Sequence, residues 1–253
     1  MRYVNSNSNP SQASLQILDW DTRQLGVPTA RIILPAALSK PLILRELLKN
    51  ARDQGIRLIY LTIPSEEKNL INTAKDLGGI IVDRKTTYLL YLSVLKSVFN
   101  FGQIEIYSES LPSPELIALA FESGKYSRFR ADPNITEEQF QAIYRQWMMN
   151  SVNHIVADDV LVFRDCHTQK ILGMITVGEK NQRGDIGLLA VDQDARGKHI
   201  GSKLIHAAQD YFIKKNYQQS QIVTQQDNIP ACRLYEKCGY HIEKIEYFFH
   251  FWL

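Results

Sequence analysis

The 253-residue sequence predicts a mixed α/β fold, and three observations carry that expectation. Short β-rich apolar runs alternate with segments of helical periodicity along the whole chain. Strands come in pairs between the helices, which a doubly wound parallel sheet does not allow. The order helix, glycine, Tyr-rich strand also occurs twice, as AKDLGG before IIVDRKTTYLLYL and as YEKCGY before HIEKIEYFFHFWL. That echo suggests two copies of one half-fold. Helices commonly end at glycine before a strand, so the echo also has a bland reading.

The first 14 residues are rich in Asn and Ser and read as a mobile tail. Residues 15–18 and 30–34 are short apolar runs of strand type. Pro41 opens a helix whose apolar positions Ile43, Leu44, Leu47, Leu48 and Ala51 keep helical spacing until Gly55. Residues 57–63 form a β run. A second helix spans 65–77 with Ser65 as its cap, and Gly78-Gly79 end it. A long strand follows at 80–92. Regularity is lost between Ser93 and Gln103, so the sequence divides there into an N-terminal domain, 1–100, and a C-terminal domain, 101–253.

The second part restarts with a strand at 103–107 and a helix from Pro114 to about Glu122. Gly124, Asp132-Pro133 and Asn134 mark GKYSRFRADPN as a loop. Thr136 and Gln139 make a capping-box pair ahead of a helix to residue 153, striped by Phe140, Ile143, Tyr144 and Trp147. Strands are expected at 155–164, 170–178 and 184–191. Then come a strongly periodic helix at 199–215, a strand at 219–224, a helix at 229–238 and a last strand at 240–252. The aromatic last strand reads equally as core or as an exposed interface.

Composition excludes several classes. Hydrophobic residues make up 45% of the chain and charged residues 22%, so a globular core is expected. The formal net charge of +2 gives no concentrated basic surface for nucleic acid. Cys166, Cys232 and Cys238 match neither zinc nor redox spacing, and no metal is expected. They read as three thiols in a reducing compartment. The N-terminus lacks the apolar core of a signal peptide, and the apolar stretch 88–101 contains Lys96 and is too short to span a bilayer. The expectation is a cytoplasmic protein.

The chemistry concentrates in DIGLLAVDQDARGKHIGSKL, where a strand runs through a turn into a helix. A helix N-terminus presents unpaired N–H groups and a positive partial charge. Gly197 and Gly201 allow close approach to those groups, and Arg196 and Lys198 add charge, so the corner is built like a pyrophosphate cradle. The same residues read equally as a solvated strand–turn–helix corner. The Lys-Ser/Thr of a nucleoside triphosphatase loop and the full G-x-G-x-x-G pattern are both missing.

Arg196-Gly197-Lys198-His199-Ile200-Gly201 resembles the Gln/Arg-x-x-Gly-x-Gly/Ala motif of the GNAT superfamily of acetyltransferases. His199 stands where that family has a glycine; a negative φ would still let its N–H donate. Downstream, Asn228-Ile-Pro-Ala231-Cys-Arg-Leu-Tyr235-Glu-Lys-Cys-Gly239-Tyr240 resembles the family's second signature. The resemblance implies a GNAT fold, a mixed and mostly antiparallel sheet flanked by helices, with a degenerate GNAT-like N-terminal half. It implies acetyl-CoA as co-substrate, held by Leu189, Ala190, Val191, Arg196, Gly197, Lys198, His199, Ile200, Gly201, Ser202 and Asn228. Tyr235 would protonate the leaving thiolate. No side chain declares itself as the base.

The chain is also similar, through Leu18–Thr22, Ser127–Arg130, Tyr144-x-x-Trp147 and the aromatic tail, to the TDP-fucosamine N-acetyltransferases. That similarity implies a dTDP-linked 4-amino sugar as acceptor. Tyr126, Arg128, Phe129 and Arg130 suit it, because arginines can pair with a diphosphate and aromatics can stack on a base or sugar. The same loop reads as a solvated basic turn with Phe129 tucked into the core. Asp132 and Asn134 are further candidates for sugar hydroxyls, and His154, His167, His206, His241 and His250 read as surface or packing residues. A GNAT enzyme for another amine, and a non-catalytic CoA sensor, remain open alternatives. A homodimer is compatible with the sequence.

Overall fold

The computed structural model describes residues 13–35, 41–92 and 102–253. The proposed tail and the proposed boundary between Ser93 and Gln103 therefore lie largely outside the described residues.

In chain order the elements are β1 (Ser14–Ile17), α1 (Asp19–Leu25), β2 (Thr29–Ile33), α2 (Pro41–Asp53), β3 (Leu58–Pro64) and α3 (Lys68–Asp76). Next come β4 (Ile80–Tyr91), β5 (Ile104–Ile106), α4 (Pro114–Ser123), α5 (Arg128–Ala131) and α6 (Glu137–Val152). The chain continues through β6 (Asp159–Arg164), β7 (Ile171–Lys180), β8 (Arg183–Val191) and α7 (Ile200–Lys214). It closes with β9 (Gln219–Gln225), α8 (Ile229–Lys237) and β10 (His241–Trp252). Strand pairing is mostly antiparallel, with β2–β3 and β8–β9 parallel, as the mixed α/β expectation requires.

The chain forms two compact units, neither continuous in sequence. One contains Thr86–Tyr126 and Gln141–Glu243. The other contains the described residues up to Lys85 together with Ser127–Phe140 and Lys244–Leu253. We call them the C-unit and the N-unit. β4 begins in the N-unit and ends in the C-unit, and β10 does the reverse.

In the N-unit the strand order is β1-β2-β3-β10. β10 pairs with β3 from Glu246↔Pro64 to Trp252↔Leu58. α2 and α3 supply Leu44, Leu48, Ala51, Leu70, Ile71 and Ala74 to a core that also buries Ile59, Leu61, Ile63, Phe249 and Phe251. The aromatic tail strand is thus core here. In the C-unit the order is β4-β9-β8-β7-β6-β5. Its core joins Ile175, Val177, Ile186 and Ile222 of the sheet to Leu204, Ile205, Ala208 and Phe212 of α7. That stripe is the one the periodicity of 199–215 predicts.

The repeated order seen in sequence is also present in the backbone. α3 is followed by Gly78 (φ +86°) and β4, and α8 by Gly239 (φ +90°) and β10; both strands have 12 residues.

Local differences from the sequence reading have physical causes. α3 begins at Lys68 with Glu67 as its flanking residue, and Ser65 bonds Glu66 instead of capping a helix. Residues 128–131, expected as loop, close one helical turn whose amides at Arg130 and Ala131 bond back to the Ser127 carbonyl. α1 was not expected; its seven residues are too few for a periodic signal, and Gly26 at φ +66° ends it. The capping box of α6 is present, with Gln139 N–H donating to Thr136 Oγ1 (3.3 Å) and Thr136 N–H to Gln139 Oε1 (2.8 Å). Among the described residues no helix is long and apolar enough to cross a membrane.

Candidate active site

The C-unit site begins with a flaw in its sheet. β7 and β8 pair Ile175↔Leu189 and then Val177↔Ile186, so Gly187 and Leu188 together oppose Thr176. This is a β-bulge, which bends the bulged strand and raises its twist. Thr176 Oγ1 accepts the Leu188 amide at 2.8 Å, and a side chain at position 187 would meet that oxygen at 2.8 Å. The parallel register of β8 with β9 covers Gly184↔Ser220 to Ile186↔Ile222 and goes no further. The two strands separate at the bulge.

Beyond it, the direction of each amide follows from the antiparallel ladder. Leu188 N–H points to β7, and so does Asp192 N–H, which donates to the Leu172 carbonyl at 2.8 Å. Alternation then turns the amides of Leu189 and Val191 the other way, toward the gap left by β9. These are donors held by a buried sheet with no strand partner on that side among the described residues.

β8 runs into a single 3-10 turn, Gln193–Ala195, and then α7. Arg196 does not project freely there; its guanidinium is paired with Glu122 of α4. Gly197 has φ +78°, and a Cβ on it would meet nothing within 4 Å. His199 is the N-cap of α7 at φ +58°, with no side-chain cap bond. The negative φ that would suit a non-glycine at this place is not the one His199 adopts. The turn imposes the left-handed conformation of the glycine it replaces, which costs a side-chain-bearing residue roughly 1–2 kcal/mol. Lys198 is exposed beside it. Ile200 is buried in the core, and Ser202 reaches the thiol of Cys238. Gly201 sits so close to α8 that a Cβ would lie 3.0 Å from Leu234 Cδ2. The glycine here serves helix packing as much as ligand approach.

α8 is capped by Asn228, whose Oδ1 accepts from the Ala231 amide at 3.4 Å. Asn228 Nδ2 donates to Thr224 Oγ1 at 3.3 Å, and Thr224 is hydrogen-bonded to Tyr235. Tyr235 is buried, at 5% exposure, and burial above all, then the nearby Cys232, pushes its phenol well above the ordinary value. It is protonated across the physiological range. Tyr88 meets Tyr235 edge to face at 5.7 Å and donates to Glu236 Oε1 at 3.1 Å.

The structure thus gathers the residues proposed from sequence on β8, α7 and α8 into one unit. It adds Thr176 and Tyr88, which sequence reasoning did not single out, and gives Thr224 and Glu236 of the resemblance their partners. One signal for the bulge was legible, since an isolated glycine inside a strand, here Gly187, marks such a site. Tyr126 is exposed in the same unit.

Arg128, Phe129 and Arg130 belong to the N-unit. Phe129 is buried at 2% exposure. The Arg128 guanidinium lies over the rings of Phe129 (4.1 Å), Phe248 (4.7 Å) and Tyr60 (5.2 Å). Arg130 is paired with Glu137 and lies 4.6 Å from the Phe140 ring. Asp132 and His250 are both fully buried, with His250 Nδ1 to Asp132 Oδ2 at 2.6 Å; the reading of His250 as a surface or simple packing residue gives way to a buried dyad.

Comparison with known proteins bears on the fold. The model of the acetyltransferase (GNAT) family matches residues 121–240. A solved GCN5-related N-acetyltransferase from Sphaerobacter thermophilus superimposes with a TM-score of 0.65 over 95% of this chain and 76% of its own, at 13% identity. The chain has a GNAT fold. Two curated proteins are similar in sequence. The spore coat polysaccharide biosynthesis protein SpsD of Bacillus subtilis is 25% identical over 134 residues, 53% of this chain but 45% of its own length. The streptothricin acetyltransferase of Escherichia coli is 25% identical over 142 residues, 53% of this chain and 82% of its own. The GNAT match covers the bulge, the turn before α7 and Tyr235 alike.

Proposed function

We propose that the protein is an acetyl-CoA-dependent N-acetyltransferase acting on the amine of a nucleotide-linked amino sugar. One observation carries the reaction class: a buried, protonated Tyr235 in the unit where two sheet amides, Leu189 and Val191, are left without a strand partner. The turn before α7 fits a pyrophosphate. Gly197 opens outward, and no side chain caps the first turn, so its amides and its positive end face that space.

Acetyl-CoA supplies an activated acyl carbon and a thiol leaving group. The residues of this chain do the rest. The amides of Leu189 and Val191 stabilise the acyl oxygen as it gains charge. Tyr235 donates its proton to the departing sulfur, whose thiol pKa is about 8.5 on the cysteine scale. Burial keeps Tyr235 protonated, and so able to donate as the carbon–sulfur bond breaks. The amine attacks unprotonated and releases its proton to water.

The sugar-nucleotide acceptor, dTDP-4-amino-4,6-dideoxygalactose in the first instance, rests on the resemblance through Leu18–Thr22 and Ser127–Arg130. It gains support from a relative named for polysaccharide biosynthesis. Tyr126, Arg128, Phe129 and Arg130 are proposed on the substrate side, the N-unit being a degenerate GNAT-like half. A cytoplasmic enzyme, and a homodimer, fit this role. The similarity to a streptothricin acetyltransferase supports a second reading, an antibiotic amine as acceptor. A panel of amino-sugar nucleotides, streptothricin-type amines and peptides with acetyl-CoA, read by free thiol, separates them. Turnover with amino-sugar nucleotides is expected; turnover confined to the other amines removes the sugar reading.

A further inference from the structure

The N-unit carries a buried polar cluster that acetyl transfer as described does not use. Asp132 is the hub. Its Oδ2 takes hydrogen bonds from His250 Nδ1 (2.6 Å) and Trp252 Nε1 (2.9 Å), and its Oδ1 takes the Asn134 amide (2.9 Å). Burial would push the Asp132 carboxyl up, but these bonds outweigh it and hold it below its usual range. An acceptor at Nδ1 fixes the imidazole with its proton there, so Nε2 carries a lone pair. Burial, outweighing the bond to Asp132, and the nearby Arg128 lower the His250 pKa to about 4, which keeps the ring neutral.

Three buried polar atoms of the N-unit have no hydrogen-bond partner among the described residues: His250 Nε2, Arg128 Nε and, one residue before it, Ser127 Oγ. His250 is 0% exposed and Ser127 is 7% exposed. His250 and Arg128 share their neighbours. The imidazole stacks on Tyr60 at 4.6 Å, and the guanidinium lies over the same ring and over Phe248. Leaving a buried donor or acceptor unmade costs about 1–3 kcal/mol each, and three such atoms in one unit call for an occupant.

Their chemistry describes that occupant. Nε2 needs a donor, Arg128 Nε–H needs an acceptor, and Ser127 serves as either. A hydroxyl is both at once. Charge argues the same way. Asp21, toward which Arg31 and Arg128 both act, and Asp132 set two carboxyl groups beside the two guanidiniums. The aromatic faces of Tyr60 and Phe248 suit the apolar face of a hydroxylated ring.

We propose that Ser127, Arg128 and His250, oriented by Asp132, form a binding site in the N-unit for a neutral hydroxyl group of a sugar-type ligand. Arg128 is half-buried, while Ser127 and His250 are buried. The site rests on the amino-sugar reading only for the choice of probe.

The test is long-range proton–nitrogen NMR on the full chain labelled with nitrogen-15 histidine, with His250 assigned from the His250→Asn spectrum. The probe is a dTDP-linked 4-amino sugar without acetyl-CoA. The Nε2 resonance of His250 is expected as a bare acceptor that shifts when the sugar nucleotide is added, while Nδ1 stays protonated. His250→Phe is expected to weaken sugar-nucleotide binding about tenfold, the loss of roughly one hydrogen bond and its orientation. His250→Asn, which keeps an acceptor, recovers part of that loss. Acetyl-CoA binding and the Trp252 emission report that each variant is folded. An Nε2 resonance already hydrogen-bonded before the ligand and unmoved after it means a resident water alone, and overturns the site. So does catalytic turnover of the sugar nucleotide with a silent His250. A dTDP-hexose lacking the amine that moves Nε2, in a protein that acetylates no amino sugar, supports the site and removes the substrate reading instead.

Discussion

Thr176 and Leu188 face each other across a β-bulge, with the Thr176 hydroxyl oxygen accepting the Leu188 amide at 2.8 Å. This bond takes the place of a ladder bond that the bulge removes, and it sets the direction of the next amides along β8. Thr176→Val keeps the shape and deletes the acceptor of a buried amide. A loss of about 1–3 kcal/mol in urea unfolding is expected. The catalytic constant should fall more than the Michaelis constant for acetyl-CoA rises. A variant of unchanged stability and turnover would show that the bulge holds itself without Thr176.

Tyr235→Phe removes one oxygen from a buried ring and leaves its contact with Tyr88. Acetyl-CoA affinity should change by less than about threefold, whereas turnover falls by about 10²–10⁴, the usual weight of a positioned acid. Steady-state kinetics with an accepted amine checks this. Unchanged turnover would take the acid role away from Tyr235.

His199 holds a left-handed backbone that suits glycine. His199→Gly should stabilise the protein by about 0.5–1 kcal/mol, because relief of strain exceeds the added freedom of the unfolded chain. Acetyl-CoA binding should be kept or tightened, since the contact proposed is through backbone. Thermal melting and calorimetric titration give the two answers. A marked loss of affinity would instead assign the imidazole itself to the ligand.

Gly201→Val would place branched carbons against Leu234 where even a Cβ stands at 3.0 Å. α7 and α8 must then separate, at a cost of roughly 1–3 kcal/mol. The same shift moves the α7 N-terminus, so acetyl-CoA affinity should drop with stability. Gly201→Val with Leu234→Ala restores room and should recover part of both.

His250 sets a pH dependence. Its folded pKa, about 4, lies below the ordinary 6.5, so between those values the unfolded chain binds more protons. Stability contributed by the neutral buried ring is complete above about pH 6.5 and is lost as pH falls toward 4, by about 3 kcal/mol in all. Asp132, also held low, keeps its contribution until still lower pH. His250→Phe should flatten urea stability between pH 6.5 and 4. An unchanged slope would place the titrating group elsewhere.

Sequence carried much of the C-unit and less of the N-unit. The periodic stripe of α7 and the capping box of α6 are local signals, and both elements stand close to where they were expected. Tyr235 and Asn228 were legible because their spacing on one helix is local too. The partners Tyr88 and Thr224 come from other strands, and only folding brings them together. The Asp132–His250 pair spans most of the second half of the chain, and no periodicity encodes it. The conformation of His199 was not legible, because a histidine gives no warning of a positive φ. The turn geometry imposes it.

The N-unit is closed by β10, whose pairing with β3 runs from Pro64 back to Leu58. On the ribosome β3 emerges early and the strand that covers it emerges last among the described elements. Through most of synthesis the edge and the apolar residues Ile59, Leu61 and Ile63 lack Phe249 and Phe251. The nascent chain must keep that surface from other partners until β10 is made. Loss of β10 would therefore strip its cover from a strand made long before it.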